Sequence, residues 1–231
     1  MCFVERSATP AGTPRLCQNR SRQGATSNQY LNALYCRISA VRARQNPSIQ
    51  KANKNMDLSD WRYLQPRTAF LSANEILEMV VRLSFRIPGH IVEFGVAKGH
   101  STRTIRLAAS ECEKHVPTNA RKRIYACDSF EGLPEKFENL EIGAFATEPP
   151  HIPGVNIVKG YFEDSLTEEL AAEIGIVALA SLDADLYSST LCALNWLTPL
   201  LRTGSLLLFD EFLGEKESEK RAFEKWSSER L

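Results

Sequence analysis

The sequence predicts an α/β fold: a doubly wound, Rossmann-like parallel sheet with helices on both faces. Three observations predict it. Short apolar runs without polar alternation recur from residue 91 onwards, as in strands buried on both faces. Stretches with helical periodicity separate them. Turn residues and acids gather at the carboxyl ends of the runs, where open parallel sheets bind ligands.

The elements follow in order. Leu71–Phe85 reads as a helix, with Leu77, Val80, Val81 and Leu83 as its apolar positions and Ser72 with Glu75 as a capping box. Ile91–Phe94 is a strand, followed by a glycine-containing turn and a helix near Ser101–Ser110. Ile124–Cys127 and Val155–Val158 are the next two strands, and Thr167–Glu173 is a short helix. Ile176–Leu182 is apolar apart from Ser181 and gives a fourth strand. Ser188–Leu201 is a helix, Gly204 turns the chain, and Ser205–Phe209 is a fifth strand. Glu217–Arg230 is a charged helix with Ala222, Phe223 and Trp226 on one side.

The chain has 231 residues, 43% of them hydrophobic, and a formal net charge of zero. That balance hides an uneven distribution. Residues 1–56 carry nine Lys or Arg and one acid, Glu5, which leaves 19 basic and 27 acidic residues in the remainder, a net of −8. Rich in Ser, Asn, Gln and Arg, residues 1–56 are expected to be a disordered basic tail or a targeting extension, and 57–231 the folded domain. Within the tail, Tyr30–Arg44 has the spacing of a basic amphipathic helix. A net-acidic domain argues against a nucleic-acid partner. No apolar run reaches the roughly 18 residues of a membrane span. The N-terminus lacks a secretory core, so a cytoplasmic protein is expected, or an organellar one if the tail is a transit peptide. The six cysteines show no C-x-x-C spacing and read as free thiols.

The strand ends carry the chemistry. The first closes on Glu93-Phe94-Gly95-Val96-Ala97-Lys98-Gly99-His100-Ser101. Gly95 and Gly99 allow a tight turn and close approach of a ligand to the backbone. Ser101 stands at a helix start with free N–H groups. The G-x-G-x-x-G pattern of dinucleotide sites is absent, and Glu93 would repel a pyrophosphate but suit an ammonium group. The second strand ends at Asp128, placed to accept hydrogen bonds from ribose hydroxyls, with Ser129 beside it. An ammonium site and a ribose site on neighbouring strands describe S-adenosylmethionine. Tyr161 or Phe162, after the third strand, could pack against its adenine. The fourth strand ends Asp183-Ala184-Asp185 and the fifth Asp210-Glu211. Four carboxylates there repel unless a cation sits among them, and Mg²⁺ suits oxygen donors.

These motifs, with Phe130-Glu131-Gly132-Leu133-Pro134 and Leu186-Tyr187 followed by Ser189-Thr190, resemble the macrocin O-methyltransferase family over roughly residues 68–230. The resemblance implies a class I, S-adenosylmethionine-dependent, Mg²⁺-assisted enzyme that methylates sugar hydroxyls of natural products. It implies Asp183 as metal ligand and general base, and Asp210 and Glu211 as further ligands. Glu211 departs from the Asp usual in the family, and His100 stands where a glycine is common. It also implies the strand order 3-2-1-4-5, here without the closing C-terminal strands, which would leave an open sheet edge. The expected function is therefore O-methylation of a small molecule. The alternatives are a truncated, non-catalytic S-adenosylmethionine-binding relative, or a nicotinamide-dependent oxidoreductase. A homo-oligomer is compatible with either.

Overall fold

The computed structural model describes residues 2–7, 33–38, 62–64, 72–212 and 218–229. Eight strands form one sheet: β1 (Cys2–Ser7), β2 (Ala33–Ile38), β3 (Arg62–Leu64), β4 (His90–Phe94), β5 (Ile124–Asp128), β6 (Asn156–Lys159), β7 (Val177–Leu182) and β8 (Leu201–Phe209). Their spatial order is β3-β2-β1-β8-β7-β4-β5-β6. The last five, β4 to β8, pair in parallel throughout. Taken in chain order as first to fifth, they lie 3-2-1-4-5, as expected. The chain reverses direction along the sheet between β6 and β7, so β4 and β7 flank the switch point. That crevice is where such sheets bind ligands.

The helices are α1 (Ala73–Ser84), α2 (His100–Glu113), α3 (Phe162–Ser165), α4 (Glu168–Ile174), α5 (Tyr187–Leu197) and α6 (Ser218–Ser228). Ser72 caps α1: its Oγ accepts the Glu75 N–H, and Glu75 returns a bond to the Ser72 N–H, the capping box read from the sequence. Alternation along the strands builds two cores. Ile91, Leu179, Leu206 and Leu208 pack with Ile76, Leu77 and Val80 of α1 and Ile105 of α2. Phe94, Leu182, Leu207 and Phe209 pack on the other face with Leu194 and Leu197 of α5 and Phe223 and Trp226 of α6.

Some expectations need correction. The α5 helix stops at Leu197, not Leu201, because Pro199 has no N–H to continue the ladder; a 3-10 turn over Thr198–Leu200 takes over. The strand after it correspondingly begins at Leu201 rather than Ser205. The amphipathic helix expected over Tyr30–Arg44 is not formed, since Ala33–Ile38 is a strand. Cys2–Ser7 is likewise a strand within the segment expected to be disordered, and the rest of residues 1–56 lies outside the described residues. The physical reason is pairing. The outer edge of β8 offers unpaired N–H and C=O groups; β1 adds to it in parallel, and β2 adds to β1 antiparallel. The open edge expected at β8 is thereby covered.

Candidate active site

A cavity of about 300 Å³ opens at the carboxyl ends of β4, β5 and β7. Gly95, Ser101, Asp128, Ser129, Tyr161, Phe162 and Asp183 line it, seven of the residues expected from the sequence. Glu93, Gly99, Asp210 and Glu211 do not line it. Glu93 is 1% exposed, one strand position before Phe94 and the turn. Gly99 starts α2 as its left-handed N-cap, with φ of 75°.

The turn after β4 forms one wall. Gly95 has φ of 85°, and a Cβ there would collide with the main-chain oxygen of Asp183, so the β4 and β7 ends meet where only glycine fits. The Asp183 N–H donates to Phe94 O at 2.9 Å and the Asp210 N–H to Leu182 O at 3.0 Å. Each parallel ladder thus continues one residue past its strand and brings the acids level with the turn.

Asp128 has a second duty that its position did not reveal. Its Oδ2 accepts the Val96 N–H at 2.7 Å and the Ala97 N–H at 2.8 Å, and its Oδ1 accepts the Phe130 N–H at 2.8 Å. One side chain holds both the glycine turn and the loop after β5. A carboxylate offers about four lone-pair positions, so three are committed and one remains on a residue that lines the cavity.

The two aromatics after β6 divide. The ring of Phe162 is 9% exposed and packs edge-on against Phe94, with centroids 5.6 Å apart. Tyr161 also lines the cavity and is the more exposed of the two.

The acids after β7 and β8 feel one another. Asp185 lines the cavity at the centre of a tight turn in which the Leu186 N–H returns to Ala184 O, and its φ is 55°. Left-handed backbone at a non-glycine residue is strained and gathers at functional sites. Burial, then the charges of Glu211, Asp210 and Asp128, push the Asp185 carboxyl up to about 6. Burial and the charges of Asp210 and Glu138 push Glu211 up as well. Sequence reasoning passed over Asp185 in favour of Asp183. It also missed Glu219, which is 1% exposed in the first turn of α6, and whose Oε2 accepts the Glu211 N–H at 3.0 Å. Glu219 shares a helix face with Ala222, Phe223 and Trp226, and an acid on an otherwise apolar stripe was the available signal.

Among the described residues, no three His, Cys, Asp or Glu side chains stand close enough together to hold a metal ion. The acids as placed therefore have the donor chemistry of a hard cation site but not its convergence. No described helix is long and apolar enough to cross a membrane.

Leu133, Pro134, Ala144 and Phe145 roof the cavity. The roof loop closes on itself through Leu133 N–H to Ala144 O and Gly143 N–H to Leu133 O, both 2.9 Å, and ties to α5 where Ser188 Oγ donates to Glu135 at 2.6 Å. Phe145 remains 58% exposed at the mouth.

Comparison with known proteins agrees with this fold. Residues 92–212 match a family described as a methyltransferase domain. Over 148 residues the chain is 29% identical to a Streptomyces olivaceus enzyme, 8-demethyl-8-(2,3-dimethoxy-alpha-L-rhamnosyl)-tetracenomycin-C 4'-O-methyltransferase, a match covering 54% of each chain. The chain thus spans about half the length of that relative. The fold superposes on the calicheamicin methyltransferase CalS11 with a TM-score of 0.56 at 24% identity, covering 68% of this chain and 73% of that one. An apo structure of CalS11, described as a TDP-rhamnose 3'-O-methyltransferase, gives a TM-score of 0.50 at 26% identity with the same coverage. The chain belongs to the methyltransferase domain family, in its class I architecture.

Proposed function

We propose that the chain transfers the methyl group of S-adenosylmethionine to a hydroxyl oxygen of a small molecule, a sugar hydroxyl of a natural product being the acceptor class. One observation carries the reading. A single cavity has the glycine turn and Asp128 on one side and Asp183 and Asp185 on the other. The first wall suits a nucleoside carrying an amino acid, and the second suits deprotonation of an incoming hydroxyl. The relatives support the acceptor class, since the S. olivaceus enzyme is named for methylation on a rhamnosyl group and CalS11 for TDP-rhamnose.

In this reading the cofactor's aminoacyl end lies along Gly95–Ser101, a ribose hydroxyl donates to Asp128, and adenine packs on Tyr161. Glu93 supplies negative charge near the ammonium. The acceptor oxygen attacks the methyl carbon in line with the sulfonium sulfur. The new O–CH₃ bond forms as the S–CH₃ bond breaks, S-adenosylhomocysteine leaves, and the hydroxyl proton passes to a carboxylate. Asp183 and Asp185 both reach the cavity. Of the two, Asp185 has the carboxyl poised at about 6, close to the working range of a general base. Holding two reactants in line provides much of the acceleration such an enzyme needs.

Mg²⁺ on Asp183, Asp210 and Glu211 is a separate part of the proposal. Bound there, it would lower the pKa of an acceptor hydroxyl. The support is the oxygen-only donor set and the mutual repulsion of the acids; their placement without a cation does not converge.

Calorimetric titration with S-adenosylmethionine is the first test. A transfer screen with labelled cofactor follows, over TDP-rhamnose, glycosylated polyketides and simple phenols, with Mg²⁺ and with chelator. Binding of the cofactor with transfer to a sugar hydroxyl is expected. Absence of cofactor binding would overturn the reading, and full activity in excess chelator would remove the metal from it.

A further inference from the structure

The most unusual side chain outside the cavity wall is Glu219. It enters from the first turn of α6, where a negative charge is favoured by the helix dipole. Yet it is 1% exposed, and its Oε1 has no hydrogen-bond partner among the described residues. Burial and the charges of Asp183 and Asp210 push its carboxyl well above the usual range. Burying an acid among acids is costly. Docking of α6 does not require it, because Ala222, Phe223 and Trp226 already anchor the helix in the core. A methionine of similar volume would fill the same space at less cost.

What methionine could not do is accept hydrogen bonds. Glu219 Oε2 takes the Glu211 N–H at 3.0 Å, and the Ala184 amide, though not hydrogen-bonded to the carboxyl, lies near enough to favour its charged form. Those two amides belong to different loops. Ala184 lies between Asp183 and Asp185 after β7, and Glu211 follows Asp210 after β8. Below them the strands are tied by the Asp210 N–H to Leu182 O bond, the last rung before the loops diverge. Glu219 is placed one step above that rung.

We infer that Glu219 is a positioning residue: its buried carboxyl holds the Glu211 loop by a main-chain hydrogen bond, with the Ala184 amide of the other acid-bearing loop beside it, and so sets where the Asp183 and Asp185 carboxylates stand relative to Asp210 and Glu211. It touches neither substrate nor cofactor and acts through the backbone of the residues that line the cavity. The inference rests on the proposed methyl transfer for its kinetic consequence, but its structural content stands without it.

Two variants test it. Glu219→Gln keeps an acceptor oxygen of the same reach, and Glu219→Met keeps the volume without the acceptor. In Glu219→Met, kcat for the acceptor should fall about tenfold or more, since small misplacement at a reacting centre is expensive. Cofactor Kd should stay within about twofold, because the glycine turn and Asp128 are on other strands. The thermal midpoint should be unchanged or higher, since a desolvated acid has gone. Glu219→Gln should recover most of the lost kcat. Independently of activity, exchange protection of the Glu211 amide should be lost in Glu219→Met and kept in Glu219→Gln. Loss of kcat together with a lower midpoint and weakened cofactor binding would mean a merely structural residue and would overturn the inference. So would unchanged protection of the Glu211 amide in Glu219→Met. Should the protein transfer no methyl group at all, the amide exchange still decides the matter.

Discussion

Replacing Asp128 by Asn should damage stability and cofactor binding together. The wild-type carboxylate accepts the Val96, Ala97 and Phe130 N–H groups at 2.7, 2.8 and 2.8 Å. Asparagine keeps one acceptor oxygen and turns the other into a donor. With its oxygen left on the glycine turn, the Nδ2 faces the N–H of Phe130, a residue only 4% exposed. One charge-assisted bond is then lost outright, and the other two lose their charge. Bonds to a charged group contribute roughly 1.5–3 kcal/mol and neutral ones about 1. Ala97 is exposed and its N–H can turn to water, so the sum is about 3 kcal/mol. For a chain of this size that lowers the thermal midpoint by about 6–12 °C. Differential scanning calorimetry without ligand measures it. Titration of the same variant should show S-adenosylmethionine affinity weakened about tenfold or more, because the turn and a ribose acceptor are disturbed at once. A midpoint within about 1 °C of wild type would refute the reasoning, since losing one charge-assisted bond and weakening the others cannot cost so little.

Other outcomes follow from the same geometry. Glu93→Gln should weaken cofactor binding by about 1–3 kcal/mol, the range for a charge-assisted contact, and calorimetry showing unchanged affinity would remove Glu93 from the ammonium site. With Asp185 as base, kcat/KM should rise with pH through about 6 and level off above it, and Asp185→Asn should abolish that limb; a limb that survives the substitution assigns the proton elsewhere. Stability responds with the opposite sign. The folded state binds this proton more tightly than the unfolded chain, so the destabilisation from Asp185 is full above about 6 and fades as pH falls toward 3.8, as urea titrations across that window should register. A chain begun at Met56 should keep its cofactor affinity, since the site lies on β4, β5 and β7, while uncovering the β8 edge should promote self-association detectable by light scattering.

What was legible in the sequence is what depends on local chemistry or on periodicity. The capping box at Ser72 and Glu75 needs only four residues, and it formed. The apolar runs gave β4, β5, β7 and β8, and their parallel order followed from the helices between them. The cavity gathers seven expected residues because strand ends are where a parallel sheet must place them. What was not legible has a different cause. The structural duty of Asp128 was hidden because only its strand position was visible, whereas its three amide partners come from residues 96, 97 and 130 and depend on how two turns fold. Asp185 was counted among the strand-end acids but given no separate role, because its left-handed backbone and its partial burial near other acids are tertiary facts. Ala33–Ile38 has the spacing of a helix but finds a sheet edge, and pairing overrides a weak propensity.

The arrangement of charge around the cavity also bears on the order of events. In the proposed reaction S-adenosylmethionine carries a sulfonium cation and S-adenosylhomocysteine does not, so methyl transfer would remove one positive charge from a site walled by Asp128, Asp183 and Asp185. Before transfer, that cation would offset the burial and the repulsion that raise Asp185, and its carboxyl would stay ionised and able to accept a proton. After transfer, the offset is gone and the carboxylates repel again. The proton released by the acceptor hydroxyl then enters a site that holds it more firmly than it did a moment earlier. Charge in the cavity is conserved across the step, a sulfonium and a carboxylate giving way to a thioether and a carboxylic acid. In that reaction the partly buried acids of the cavity wall would favour cofactor over product while ionised, and lose that preference once one of them is protonated. By linkage, raising the pH through about 6 should tighten S-adenosylmethionine relative to S-adenosylhomocysteine. An affinity ratio that does not vary with pH across that interval would mean that the sulfonium is not near Asp185.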